Sequence, residues 1–122
     1  MKTTFLHLAI LLLFLFPSDV FSQHIVIQKD EKVEIRNING GFITSGFYSG
    51  VKEIAQGESF VVFQYESGKV EIRDYNLKYL TSSYYSNLNH VGATKDWVVL
   101  YYENGKIEVR DKELRFYSSW FK

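Results

Sequence analysis

From Trp97 to Asp111 the chain reads WVVLYYENGKIEVRD, two runs of strand-forming residues separated by Asn104-Gly105. Side chains alternate between the two faces of a strand, and Asn-Gly favours a two-residue hairpin turn. The pattern therefore predicts a hairpin in which Glu103 faces Lys106, Tyr102 faces Ile107, Leu100 faces Val109 and Val99 faces Arg110. On that register one face carries Val98, Leu100, Tyr102, Ile107 and Val109. The other mixes Trp97, Val99 and Tyr101 with Glu103, Lys106, Glu108 and Arg110. Phe60 to Asp74, FVVFQYESGKVEIRD, repeats the pattern. A worn copy ends in KVEIRN at Asn37; it keeps the aliphatics but not the Gly turn, which predicts the least well-defined of the three hairpins.

The repeat is long and regular. Lys32, Lys69 and Lys106 each begin a K-[VI]-E-[IV]-R segment, 37 residues apart. A fixed period of this size is the signature of a repeat architecture. Each full repeat divides into four short strands: Val51–Gln56 or Leu88–Thr94, then Phe60–Glu66 or Trp97–Glu103, then Lys69–Asp74 or Lys106–Asp111, then Lys78–Tyr85 or Leu114–Phe121. Turn residues punctuate them at Asn39-Gly40-Gly41, Ser49-Gly50, Gln56-Gly57, Asn87 to Asn89 and Thr94 to Asp96. The first repeat has no counterpart of the first strand. The expectation is an all-β chain of about eleven short antiparallel strands in three repeats, about 23–50, 51–87 and 88–122.

The first residues read differently. Lys2 precedes an apolar run, Phe5 to Phe16, which Pro17-Ser18-Asp19 breaks before Val20-Phe21-Ser22. This is the pattern of a secretory signal peptide over residues 1–22, and the run is shorter than the ~20 residues that cross a bilayer. The expected location is exported, periplasmic or extracellular, with no membrane attachment once the leader is cleaved. Residues 23–122 then form one all-β repeat domain. The net charge is zero, so no basic excess points to nucleic acid or anionic lipid. Cysteine is absent; the exported chain has to be stable without disulfides.

A unit of about 37 residues with an apolar strand, a tight Gly turn, a third strand ending in Asp and a fourth after a short loop resembles a β-propeller blade. The resemblance is carried by W-V-V-L-Y-Y-E-N-G-K-I-E-V-R-D and its copies, over nearly all of residues 23–122. No WD dipeptide, kelch di-glycine pattern, Asp-box or calcium loop assigns a subfamily. Propellers close with about four to eight blades. Three repeats imply an open array whose two outer blades each leave a face bare, and apolar faces of that kind mark association sites. The alternative is a β-trefoil, a three-fold barrel that would serve as a carbohydrate-binding domain.

Two recurring sets are candidate sites. Glu34, Arg36, Glu71, Arg73, Glu108 and Arg110 recur in the third strand. They read as a ladder of ion pairs between neighbouring blades, their stems covering apolar surface, or as a polar groove for a charged ligand. The aromatic doublets Phe47-Tyr48, Tyr84-Tyr85 and Trp120-Phe121 close each fourth strand. Neighbours in a strand point to opposite faces, so one ring of each doublet is free to stack on a sugar or grip a peptide.

No catalytic motif emerges: there is no G-x-S-x-G elbow, phosphate-cradling glycine loop or H-E-x-x-H. His24 and His90 stand alone, without metal-ligand spacing, and no cofactor is implied. Asp74 and Asp111 read as turn formers. The leading expectation is a secreted, non-catalytic module that binds protein, peptide or glycan and associates with itself or a partner. The rival is an enzyme or the remnant of a larger propeller hydrolase or lyase. Its one hint is His90, where the preceding repeat has Glu53.

Overall fold

The computed structural model describes residues 23–122; the leader expected over residues 1–22 lies outside them. Eleven strands run in order: β1 (His24–Lys29), β2 (Lys32–Asn37), β3 (Phe42–Phe47), β4 (Val51–Gln56), β5 (Val61–Tyr65), β6 (Lys69–Arg73), β7 (Tyr79–Tyr84), β8 (Leu88–Thr94), β9 (Trp97–Tyr102), β10 (Lys106–Asp111) and β11 (Phe116–Phe121). They form three antiparallel sheets of consecutive strands: β1-β2-β3, β4-β5-β6-β7 and β8-β9-β10-β11. The all-β expectation holds. The trefoil does not, because every strand pairs inside its own repeat and the sheets stack face to face rather than closing a barrel.

One expectation is corrected throughout. Tyr101 pairs with Ile107, Leu100 with Glu108, Val99 with Val109 and Val98 with Arg110, one residue away from the Asn-Gly prediction. In the left-handed region the turn holds only Gly105, at φ 92°, whereas a two-residue type I′ turn needs positive φ at Asn104 as well. The loop is instead a three-residue one, Glu103-Asn104-Gly105, with the glycine in the bulge position. Gly105 N–H donates to the Tyr102 carbonyl, and Asn104 Oδ1 accepts from Lys106 N–H. Gly68, at φ 95°, does the same for β5 and β6, where Phe63 pairs with Glu71 and Val61 with Arg73. A slip of one residue moves a whole strand's side chains to the other face. Glu71 and Glu108 therefore lie beside the buried Phe63 and Leu100. The β1–β2 hairpin, expected to be the least defined, pairs along its full length from His24–Asn37 to Lys29–Lys32. Asp30, at φ 56°, closes its turn where no glycine is present.

Burial follows from stacking. In the outer sheets it alternates along a strand: Val33 and Ile35 of β2 are buried with exposed Lys32 before them, and Val98 and Leu100 of β9 alternate with half-buried Trp97, Val99 and Tyr101. In the middle sheet the alternation disappears, with Val61, Val62, Phe63 and Gln64 all buried, because both faces are covered. One seam joins Val33 and Ile35 to Val61, Phe63, Tyr75 and Leu77. The other joins Phe60, Val62, Val70 and Ile72 to Leu88, Val91, Val98, Leu100 and Leu114. Backbone and side-chain bonds tie the seams at their rims, as from Gln56 Nε2 to the His24 carbonyl and from Val91 N–H to Glu53 Oε1.

The loop after each third strand is the same structure three times. Asn37, Asp74 and Asp111 cap it through Oδ1, which accepts backbone N–H groups two or four residues on. Its fourth residue is left-handed in every copy: Gly40 (φ 95°), Leu77 (φ 63°) and Leu114 (φ 65°). A leucine there is strained, yet both leucines are buried in the seams, so their burial holds the strained backbone. Leu77→Ala keeps the strain and loses the packing, whereas Leu77→Gly loses the packing but relaxes the backbone. In urea unfolding the glycine variant is expected to be the more stable of the two by about 1 kcal/mol, the reverse of the usual order.

Candidate functional site

The third strands carry a buried polar joint at each seam. Glu71 Oε1 accepts from Tyr65 Oη at 2.7 Å and Arg73 Nε at 3.0 Å, with Lys69 Nζ 3.7 Å from Oε2. Arg73 Nη1 donates to the Leu77 carbonyl at 2.7 Å. Its guanidinium lies 4.8 Å from the ring centroid of Tyr48, which belongs to the preceding repeat, and 5.7 Å from that of Tyr79. Glu108, Arg110, Tyr102 and Lys106 reproduce the arrangement, with Tyr85 in the place of Tyr48 and Phe116 in that of Tyr79. In the first repeat Arg36 meets Glu34 and the Gly40 carbonyl, with Phe42 beside it. The expected ladder between blades is thus corrected. The ion pairs close within a strand, two residues apart, and what crosses the seam is an arginine stacked on the neighbour's tyrosine.

Burial alone would raise the Glu71 carboxyl. The hydrogen bonds from Arg73 and Tyr65 and the charges of Arg73 and Lys69 outweigh it and hold the group below the ordinary glutamate range. Glu108 is held down in the same way, against burial, by Tyr102, Arg110 and Lys106. The Tyr65 and Tyr102 hydroxyls are pushed up, first by burial and then by their carboxylate partners. A depressed carboxylate bonded to its donors is a poor general base or acid near neutrality; it locks a seam. Its stabilisation is complete above the unfolded glutamate value of about 4.3 and is lost as pH falls through the lower native value. Melting temperature is expected to stay level from pH 7 to about 5 and fall below about 4. Glu71→Gln is expected to flatten that acid slope in a pH series of melts.

The doublets separate as strand geometry requires. Phe47 is 76% exposed and Tyr84 69%, while Tyr48 and Tyr85 pack into the two seams. Tyr48 meets Phe63 edge-on at 5.0 Å. In the third repeat the matching position is shifted by one. Phe121 pairs with Lys106 as Tyr84 pairs with Lys69 and Phe47 with Lys32. Lys122, bonded to the Gly105 carbonyl, takes the place of Tyr48 and Tyr85. Phe47, Tyr84 and Phe121 form one exposed position per repeat on the outermost strands. Trp120 pairs with Ile107 instead and joins a different surface.

That surface was only half legible. Because β10 is slipped, Val99, Tyr101 and Trp97 share the outer face of the last sheet with Ile107, Val109 and Trp120, with Asp111 beside Trp97 at its edge, and not with Lys106, Glu108 and Arg110. His90 and Gly92 pair with Tyr101 and Val99 on the same face, and Tyr117 packs on Trp97 at 4.7 Å. At the opposite end Ile25 and Ile27 are 40% and 43% exposed beside Arg36 and Glu34. The missed signal was loop length: E-S-G and E-N-G each place glycine third, the pattern of a three-residue hairpin loop.

His90 stacks obliquely on Tyr101 at 4.5 Å. Glu53 sits in a seam, accepting from Val91, so the two residues that hinted at chemistry serve different surfaces. A cleft of about 310 Å³ between the second and third sheets is lined by polar groups including Lys52, Gln64, Glu66 and Glu103. Among the described residues no group of three or more His, Cys, Asp or Glu side chains is placed to hold a metal ion. No helix among them is long and apolar enough to cross a membrane.

No protein-family model matches the chain, and no curated protein matches it. Solved structures do. Hsv2 of Kluyvelomyces marxianus superposes with a TM-score of 0.64 over 83% of this chain and 37% of that one, at 15% identity. The WD40 domain of Neurospora crassa Pan2 gives 0.60 over 82% and 33%, at 11% identity. NirN, a dihydro-heme d1 dehydrogenase in complex with DHE, gives 0.55 over 85% and 25%, at 19% identity. The chain thus spans well under half the length of the proteins it matches. At these identities the likeness is one of fold: the three sheets are β-propeller blades.

Proposed function

We propose that this chain is an exported, non-catalytic interaction module that binds protein through the sheet faces at the two ends of its blade stack. The observation that carries the reading is the end face built by Trp97, Val99, Tyr101, Ile107, Val109 and Trp120. The same positions in the middle blade, such as Val62, Val70 and Ile72, are fully buried by a neighbouring blade. A face with that composition is a surface for macromolecular contact. The apolar leader supports export. The lowered carboxylates of Glu71 and Glu108, locked to their donors, support a structural rather than catalytic use of the recurring acids.

A second reading has its own observation. Phe47, Tyr84 and Phe121 present one exposed ring per blade in equal register, a row suited to an extended peptide or glycan. Site-directed photo-crosslinking in the cells that produce the protein separates the two. Benzoylphenylalanine at Tyr101 is expected to capture a protein in the exported fraction, and at Tyr84 to capture much less. Capture at Tyr84 alone would move the site to the outer strands. Capture at neither would refute the interaction reading.

A further inference from the structure

We infer that the partner of the two end faces is a second copy of this chain, docked head to tail, so that two copies close a six-bladed ring through two equivalent seams. The inference rests on the interaction reading above and names its partner.

The two end faces continue the pattern of the seams the molecule already contains. At each internal seam, one blade offers the face with the second, aliphatic set of its third strand: Val33 and Ile35, or Val70 and Ile72. The next blade offers the face with Val61 and Phe63, or Val98 and Leu100, beside its Glu–Arg pair. The last blade's bare face is the first kind, with Ile107 and Val109 in those positions and Trp97 and Val99 for Phe60 and Val62. The first blade's bare face is the second kind, with Ile25 and Ile27 opposite Arg36 and Glu34. The ends are therefore the two halves of a seam, and not two copies of one half. A head-to-tail contact satisfies both, whereas like-to-like pairing repeats no seam in the fold.

The first blade has three strands and lacks an inner one, which does not prevent a seam. Its junction with the second blade forms around Val33, Ile35 and Phe63 with an inner strand, β4, on one side only. The junction proposed between copies also has one inner strand, β8, here on the side that offers the aliphatic face.

The polar joint is where the junction between copies differs from the internal seams. Glu71 and Glu108 each have a tyrosine, an arginine and a lysine. At Glu34 the tyrosine is replaced by Lys29 in the matching strand position, and its ion-pair partner in the structure is Arg36. Arg36 has Phe42 beside it but no ring from a preceding blade. Lys122 occupies the position from which Tyr48 and Tyr85 reach across their seams onto Arg73 and Arg110, so between copies its aliphatic stem, in place of a ring, would lie against Arg36. Closure fixes the number. Three blades are below, and nine above, the four to eight of closed propellers, whereas six lie within them.

The Tyr48–Phe63 contact gives the test a defined geometry, because its equivalent between copies is Lys122 against Ile27. The chain has no cysteine of its own. Sedimentation equilibrium of residues 23–122 is expected to give twice the chain mass, and Val99→Asp to give a chain of native circular dichroism at half that mass. When the single variants Ile27→Cys and Lys122→Cys are mixed and oxidised, the mixed disulfide is expected to exceed both homodimers several-fold. A monomeric wild type overturns the proposal, and so does preferential 27–27 or 122–122 linkage. Photo-capture of a different protein at Tyr101 by a monomeric chain would leave the interaction reading standing while removing self-closure. Absence of any capture together with a monomer would remove both.

Discussion

Arg73→Ala is expected to cost about 3–5 kcal/mol of folding free energy, and Arg36→Ala no more than about 1 kcal/mol. The two arginines occupy the same place in successive repeats and make the same local bonds, to a glutamate two residues before and a carbonyl four residues on. They differ in what stands across the blade. Arg73 is sandwiched by Tyr48 and Tyr79, with its side chain 18% exposed, while Arg36 is 38% exposed and has only Phe42. Removing Arg73 leaves Glu71, whose side chain is 5% exposed, charged and short of its main partner, and a buried carboxylate without its cation is the expensive case. Urea unfolding of the two variants reads the difference directly. Equal losses would mean that the stacked seam contributes nothing beyond the bonds within the strand.

Phe63→Ala is expected to lose about 3–5 kcal/mol through lost burial and the cavity left behind. Phe63 is fully buried and braces Tyr48 edge-on, so its removal also loosens one of the two rings that hold Arg73. The double variant Phe63→Ala/Arg73→Ala should therefore fall short of the sum of the single losses, with a coupling of about 0.5–3 kcal/mol. Strict additivity would place Tyr48 outside the joint. The counterpart of Phe63 in the first blade is Ile27, which is 43% exposed. Ile27→Ala is expected to leave the unfolding of the isolated chain within about 0.5 kcal/mol of wild type.

These contrasts show how repeat and environment divide the work. Glu34–Arg36, Glu71–Arg73 and Glu108–Arg110 are one motif written three times, and the motif alone dictates the pair within the strand. Whether that pair is a buried joint or a surface pair depends on whether a blade stands in front of it. The same holds for the aromatic doublets. Strand alternation separates the half-buried Tyr48 and Tyr85 from the exposed Phe47 and Tyr84, but the shift by one residue in the last repeat put Phe121 at the exposed position and Lys122 at the seam position, and moved Trp120 to an end face.

The amino-acid sequence determined the strands, their order, the three-fold repeat and the all-β class, because alternation and turn chemistry are local properties that each segment of about ten residues carries by itself. The tertiary structure decided which face of each third strand is buried. Hairpin register hangs on a single loop residue, and Asn104 keeps negative φ where a two-residue turn would have needed it left-handed. It also decided which repeats have covered faces, since stacking is a relation between blades that no blade encodes alone. The middle sheet is buried on both sides for that reason, and the corresponding positions one repeat away face outward at the ends.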